Sequence, residues 1–246
     1  MTTTRRGVSA LIFALAAGLP VIPGAAGQEP APKEFRIGYQ KVGLIVVARR
    51  QGTIEKRLAA AGTRVRWVEF QAGPPLLEAL NAGGIDFGYT GDTPPIFSQA
   101  AGGNLVYAGA VPPSGDSEAI VVKADSPIRT VGDLKGRTVA VARGTSSHNL
   151  LVAALEKAGL GFADIKPAYL LPADAGSAFA NDSVDAWTIW DPYLALTQAR
   201  NDTRILVTSG QTFEAPASWP ARWPGCPTRR IGLMAIGIRL PRRSRT

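Results

Sequence analysis

The chain has 246 residues, 46% of them hydrophobic and 19% charged, a globular composition that excludes a wholly disordered protein. Its formal charge of +8 sits at the two ends: Arg5 and Arg6 near the start, and seven arginines in the acid-free stretch Ala215–Thr246, so that Gly7–Glu214 carries −1. A nucleic-acid groove gathers Lys and Arg on a folded face, so none is expected here. Cys226 is the single cysteine, which excludes an internal disulfide and a cysteine-built metal site.

Residues 1–26 read as a secretory signal. Arg5-Arg6 form a basic start, Val8–Ile22 is a mostly apolar run, and Gly24-Ala25-Ala26 offers small residues for a cut after Ala26. An uncleaved anchor is the alternative, although Gly18 and Pro20 interrupt the run and it is short for a membrane span. Residues 27–34 are a Pro/Ala linker. Export to the periplasm or the cell exterior follows, with the Sec and twin-arginine routes both open.

The body then alternates strands and helices. A strand is expected at Glu34–Gly38, a helix over Leu44–Ala60 and a strand at Arg64–Phe70. Pro74-Pro75 open a helix that Gly83-Gly84 stop, a strand runs over Ile85–Tyr89, and Pro94-Pro95 open another helix. Strands follow at Leu105–Ala110 and Ala119–Lys123. Thr130 to Asp133 reads as a capping box on a single turn. A second unit places strands at Arg137–Ala142, Tyr169–Leu171, Asp185–Trp190 and Arg204–Thr208, with helices at His148–Ala158, Ala173–Ala180 and Pro192–Arg200 between them. This alternation predicts a mostly parallel α/β sheet architecture, with a first lobe over 35–116, a second over 117–209, and their boundary near Pro112–Asp116.

The two units share an offset. Ala79-Leu80, Ile85-Asp86 and Asp92 recur 99 residues later as Ala178-Phe179, Val184-Asp185 and Asp191. Either one helix–strand–loop–helix unit is used twice, with a gap upstream, or two ordinary units agree by chance.

In open parallel sheets, ligands bind beyond the carboxyl ends of strands. Four loops lie there: Tyr39–Gly43, Thr90–Asp92, Gly144–Ser147 and Trp190–Tyr193. Two of them precede helices and are rich in glycine and hydroxyls, which suits an anion, since unpaired N–H groups and the positive helix end converge there. The plain alternative for Thr145, Ser146 and Asp92 is helix capping, which is the stronger expectation for each taken singly. Trp187 and Trp190 should face opposite sides of a strand, one in the core and one free to wall a pocket, or both packed in core. Enzyme chemistry has little support. His148 is the only histidine, Ser147 beside it lies in no G-x-S-x-G elbow, and no nucleotide-binding glycine motif or metal-ligand cluster is present in the sequence. The pairs Asp86/Asp92 and Asp185/Asp191 are explained by strand and helix ends.

Several of these segments together resemble a known family: Trp67 to Phe70, Thr90-Gly-Asp-Thr-Pro-Pro-Ile-Phe97, Asp133 to Gly136, Gly144-Thr-Ser-Ser-His-Asn-Leu-Leu151 and Val184 to Tyr193. They are similar to the aliphatic sulfonate-binding proteins of ABC importers, close to the taurine- and nitrate-binding branches, from about Phe35 to Phe213. The resemblance implies a type II periplasmic binding protein fold, two α/β lobes around a ligand cleft. It implies that Gln40, Thr90, Gly91, Asp92, Glu118, Ser146, Ser147, His148, Trp190 and Asp191 are cleft positions. It further implies a periplasmic monomer that takes a small anionic alkanesulfonate, delivers it to a membrane permease with its ATPase, and uses no cofactor or metal. Taurine- or nitrate-type binding is the near alternative. A pyrimidine-synthase-like enzyme on the same fold, or a non-functional product, are alternatives of another class.

The family pattern ends near Glu214. Residues 210–246 are expected to form an aberrant Arg/Pro-rich tail, the product of a shifted reading frame or a divergent end, in place of a return to the first lobe. Ile231–Leu240 is apolar but shows no partner in sequence to complete a unit. An incomplete first lobe is therefore expected.

Overall fold

The computed structural model describes residues 31–111, 115–200 and 203–213, and the backbone of 236–238. The expected signal segment, the tip of the expected lobe boundary and the rest of the expected tail lie outside the described residues.

The first lobe runs β1 (Glu34–Tyr39), α1 (Leu44–Gln51), α2 (Thr53–Ala59), β2 (Arg64–Glu69), α3 (Gly73–Ala82), β3 (Phe87–Tyr89), α4 (Thr93–Ala100) and β4 (Val106–Tyr107). The second runs β5 (Glu118–Lys123), β6 (Thr138–Val141), α5 (Ser146–Lys157), β7 (Lys166–Tyr169), α6 (Pro172–Ala180), β8 (Ala186–Trp190), α7 (Tyr193–Arg200), β9 (Thr203–Thr208) and α8 (Ser209–Thr212). The last described strand is β10 (Ile236–Ile238).

Among the described residues the strands form two five-stranded sheets, in the orders β2-β1-β3-β10-β4 and β7-β6-β8-β5-β9. In each sheet the first three strands are parallel, and the fourth runs antiparallel to both of its neighbours. The parallel expectation therefore holds for the βαβ units but not for the fourth position. The two sheets correspond strand by strand, which decides the repeat in favour of one unit used twice.

The repeat has a physical anchor. Asp86 accepts the backbone N–H of Arg36 at 2.8 Å, and Asp185, 99 residues on, accepts that of Thr138 at 2.7 Å. The N–H of each Asp returns a bond to the carbonyl of the same residue, at 2.8 Å in both lobes. Each carboxylate thus ties the start of its strand to the parallel neighbour. Leu80 and Phe179, also 99 apart, are both fully buried on the helix before that strand.

Four expectations need correction. The single helix over Leu44–Ala60 is two, α1 and α2, because Gly52 adopts φ 63 and serves as the last cap of one and the first of the other. The Leu105–Ala110 strand shrinks to Val106–Tyr107. The stretch around Ile236–Ile238 does have a partner: its backbone pairs antiparallel with both β3 and β4. The reason is hydrogen-bond satisfaction, since β3 and β4 each present an open edge that an inserted strand closes. The β7 strand lies earlier than expected and contains Pro167, which is tolerated because β7 is an edge strand. The capping box at Thr130 and Asp133 forms as read, with Asp133 accepting the N–H and hydroxyl of Thr130.

Candidate functional site

Both lobes direct the carboxyl ends of their parallel strands and the first turns of the following helices toward one region. From the first lobe come Gln40 after β1 and Thr90-Gly91-Asp92 between β3 and α4. From the second come Glu118 at the start of β5 and Thr145–Ser147 at the start of α5.

Thr90 is buried, and its Oγ1 is enclosed with no hydrogen-bond partner. A buried hydroxyl left unpaired costs about 1–3 kcal/mol. Thr90 lies against the first residue of α3: a Cβ added at Gly73 would collide with Thr90 Oγ1 and Pro94. Gln40 is buried and donates from Nε2 to the carbonyl of Tyr89 at 3.2 Å, holding the β1 loop to the end of β3.

The lobes meet at Gly91. A Cβ built there would stand 2.9 Å from Ser146 Oγ, so the backbone of one lobe passes directly over the first residue of the other lobe's helix. Ser146 donates its hydroxyl hydrogen to Glu118 Oε1. Burial pushes the Glu118 carboxyl up to about 7, and the nearby charge of Asp92 adds to this while the Ser146 bond opposes it. The first N–H groups of α5 have no acceptor within their own helix, because an α-helix leaves its opening donors free. Ser146 and Ser147 supply such donors, and the helix end adds partial positive charge.

The capping alternative is settled residue by residue. Thr145 is the cap of α5, accepting the N–H of His148 at 3.3 Å. Asp92 stands at the cap position of α4 in helical geometry but makes no side-chain capping bond; its Oδ1 accepts the hydroxyl of Thr93 at 3.0 Å. Capping is thus the wrong reading for Asp92, because Pro94 and Pro95 in the first turn have no N–H to accept. Ser147 is fully buried, with its Oγ 3.0 Å from Thr145 Oγ1, so its side chain is committed inward. Asp191, two residues before α7, accepts the N–H of Ala195 at 3.2 Å, while its own N–H bonds to the carbonyl of Ser117.

His148 stands at the edge of this group. Its Nδ1 accepts the N–H of Gly144 at 3.2 Å, and its ring packs edge-on to Phe162 and Tyr169. Burial, with Arg143 adding to it, lowers its pKa, so the ring is a neutral spacer and not a cation. Trp187 and Trp190 are both buried, the second of the two arrangements open from the sequence. Trp190 lies edge-on to Tyr193 at 6.3 Å, in a cluster that also takes in Val42 and Ala72 of the first lobe. That cluster is the apolar side of the region. Thr90's orphan hydroxyl and the Ser146–Glu118 bond escaped sequence reasoning. Their partners lie on separate elements, and only the Thr/Ser/Glu composition of the loops hinted at them.

A family model described as NMT1/THI5 like matches residues 58–214. A curated relative in Escherichia coli (strain K12), named for binding aliphatic sulfonates, is 52% identical over 79% of this chain and 60% of its own length. A relative of the same description in Bacillus subtilis (strain 168) is 40% identical over 77% of this chain and 57% of its own. The chain thus spans about three fifths of the length of the curated relatives it matches. Among solved structures, the periplasmic aliphatic sulphonate binding protein SsuA from Escherichia coli superposes with a TM-score of 0.67 at 45% identity, covering 85% of this chain and 62% of that one. The alkanesulfonate-binding protein SsuA from Xanthomonas axonopodis pv. citri, bound to MOPS, gives 0.69 at 49%, covering 72% and 61%. The fold is the type II periplasmic binding fold.

Proposed function

The chain belongs to the NMT1/THI5-like family, and from that premise we propose that it is the substrate-binding component of an ABC importer, capturing an aliphatic sulfonate between its lobes. The observation that carries this reading is the meeting of Thr90, Gly91 and the start of α5. Gly91, next to the enclosed Thr90 hydroxyl, lies against Ser146, whose helix opens with free N–H donors.

A sulfonate matches that chemistry. It stays anionic across the physiological range, offers three acceptor oxygens and needs no proton transfer. Neutral donors at a helix end hold such a group without an arginine. Its alkyl tail would rest on the apolar side formed by Trp190, Tyr193 and Val42. The names of the similar relatives and structures support the ligand class. In this reading the protein is periplasmic and acts as a monomer without catalysis. Its partners are the membrane permease and its ATPase, and Gln40, Asp92, Ser147, His148 and Asp191 hold the binding loops in place.

A taurine-type ligand is the second reading. The charge of Asp92 reaches Glu118, and a paired carboxylate suits an ammonium group. A taurine-binding periplasmic protein of Escherichia coli (strain K12) is 27% identical over 67% of this chain. Thermal unfolding with millimolar ethanesulfonate, taurine and nitrate separates the readings. A ligand present at a hundred times its Kd stabilises the folded protein by about 2.7 kcal/mol. We expect ethanesulfonate to raise the midpoint most. A rise with taurine alone would transfer the protein to the second reading, and no rise with any of the three would sink both.

A further inference from the structure

We propose that Glu118 takes up a proton when an anionic head group is captured at the start of α5, and that Ser146 reverses its hydrogen bond in the same event. This rests on the sulfonate reading above and adds to it a coupling between anion capture and solvent protons.

The argument is one of counting protons. A serine hydroxyl has a single hydrogen to give. In this structure Ser146 gives it to Glu118 Oε1. Spent that way, Ser146 turns only lone pairs toward an arriving anion, and an alkanesulfonate has no hydrogen to offer in return. The anion would also meet the carboxylate charge itself. A proton placed on Glu118 removes both obstacles. The neutral acid donates its O–H to Ser146 Oγ, and the hydrogen of Ser146 is released toward the ligand. One proton drawn from solvent thus cancels a like charge and creates a donor, with no other bond formed or broken.

The surroundings favour this exchange. Burial and the charge of Asp92, at the start of α4, hold the Glu118 carboxyl at about 7, within reach of solvent protons. The β8 residue opposite Glu118 in register is Trp190, and the β9 residue opposite the adjacent Ala119 is Thr208, both uncharged. Asp191 follows Trp190, with its carboxylate held by the N–H of Ala195. Asp116 precedes Glu118 by two residues and is exposed. Among these acids it is the charge of Asp92 that opposes ionisation of Glu118. His148, two residues beyond Ser146, points its Nδ1 at Gly144, and its lowered pKa keeps it neutral where Glu118 titrates.

The test is calorimetric titration of the full chain with ethanesulfonate between about pH 5.5 and 9, in pairs of buffers of different ionisation heat. The sulfonate itself does not titrate in that range. We expect affinity to fall as pH rises through about 7, approaching tenfold per pH unit. Uptake of close to one proton per ligand is expected at pH 8, and little at pH 5.5. Glu118→Gln should lose both the pH dependence and the proton uptake, since a neutral amide donates to Ser146 at every pH. The proton count on the unaltered protein stands even if that variant does not fold. Binding that is independent of pH, with no proton uptake, would overturn the coupling and leave the sulfonate reading intact. No binding at any pH would overturn both.

Discussion

The two lobes are built to one plan and finished differently. Each has three parallel strands, a helix buried by Leu80 or Phe179, and an Asp that bolts one strand to the next. Each then accepts an antiparallel strand in fourth place. In the second lobe that strand is β5, six residues long, with Ala119 to Val122 completely buried, entered directly from the lobe boundary. In the first it is β10, three residues long and far along the chain. The second lobe is packed on both faces of its sheet, by the clusters around Trp187 and around Leu151. Among the described residues the first has clusters around Leu80 and around Tyr39. The lesson is that a repeated backbone plan sets the position of the binding loops, while the strand that completes each sheet is taken from the lobe boundary in one lobe and from far along the chain in the other.

The matched positions 80 and 179 give the largest test of that difference. Phe179→Ala should cost about 3–5 kcal/mol and Leu80→Ala about 2–5 kcal/mol in urea-induced unfolding. If the lobes unfold as one cooperative unit, both variants shift a single transition. Two transitions, with Leu80→Ala moving only the earlier, would show that the first lobe is held separately.

Glu118 sharpens the comparison at the site. Its folded carboxyl lies near 7, above the ordinary 4.5 of the unfolded chain. Folding therefore binds an extra proton in that window, and stability is lost as pH rises from 4.5 to about 7, then levels off. The total is at most about 3 kcal/mol. Glu118→Gln should flatten that slope in denaturant titrations at several pH values; an unchanged slope would assign it to other groups.

Asp86 and Asp185 come next. Asp86 is gripped by Arg36 through backbone N–H, Nε at 2.9 Å and Nη2 at 2.5 Å, whereas Asp185 has the backbone bond and an Arg137 contact of 3.7 Å. Burial works against ionised Asp86, but the Arg36 bonds outweigh it and hold the carboxyl below its usual range. Its contribution is therefore present above about pH 4 and lost as pH falls through the lowered value. Asp86→Ala should cost about 2 kcal/mol and Asp185→Ala about 1 kcal/mol. Equal losses would mean that the backbone bond alone matters.

The smallest expected effects separate two adjacent hydroxyls. Ser146→Ala should weaken ethanesulfonate binding about tenfold, the value of one hydrogen bond, and cost about 1 kcal/mol of stability through the lost bond to Glu118. Ser147→Ala should cost about 1 kcal/mol of stability through Thr145 and leave affinity nearly unchanged. A reversed outcome would exchange their roles.

Much of the plan was legible in the chain. Proline pairs marked the openings of α3 and α4, glycines marked helix ends, and the offset of 99 exposed the repeat because a strand, its preceding helix and its tethering Asp are all local. The same locality explains the failures. Gly52 splits a helix only because it adopts positive φ, which an apolar pattern does not register. Asp92 looks like a cap, but two prolines remove the donors it would serve.

Local chemistry, carried within a few residues, determined the α/β alternation, the repeated unit, and the glycine- and hydroxyl-rich loops that open helices. Tertiary structure alone decided the rest. It set β10 between β3 and β4, laid Gly91 against Ser146, left Thr90 without a partner, and joined Ser146 to Glu118, 28 residues away. Hydrogen bonds and burial between distant segments depend on which surfaces the sheets bring together, and no short-range pattern encodes that.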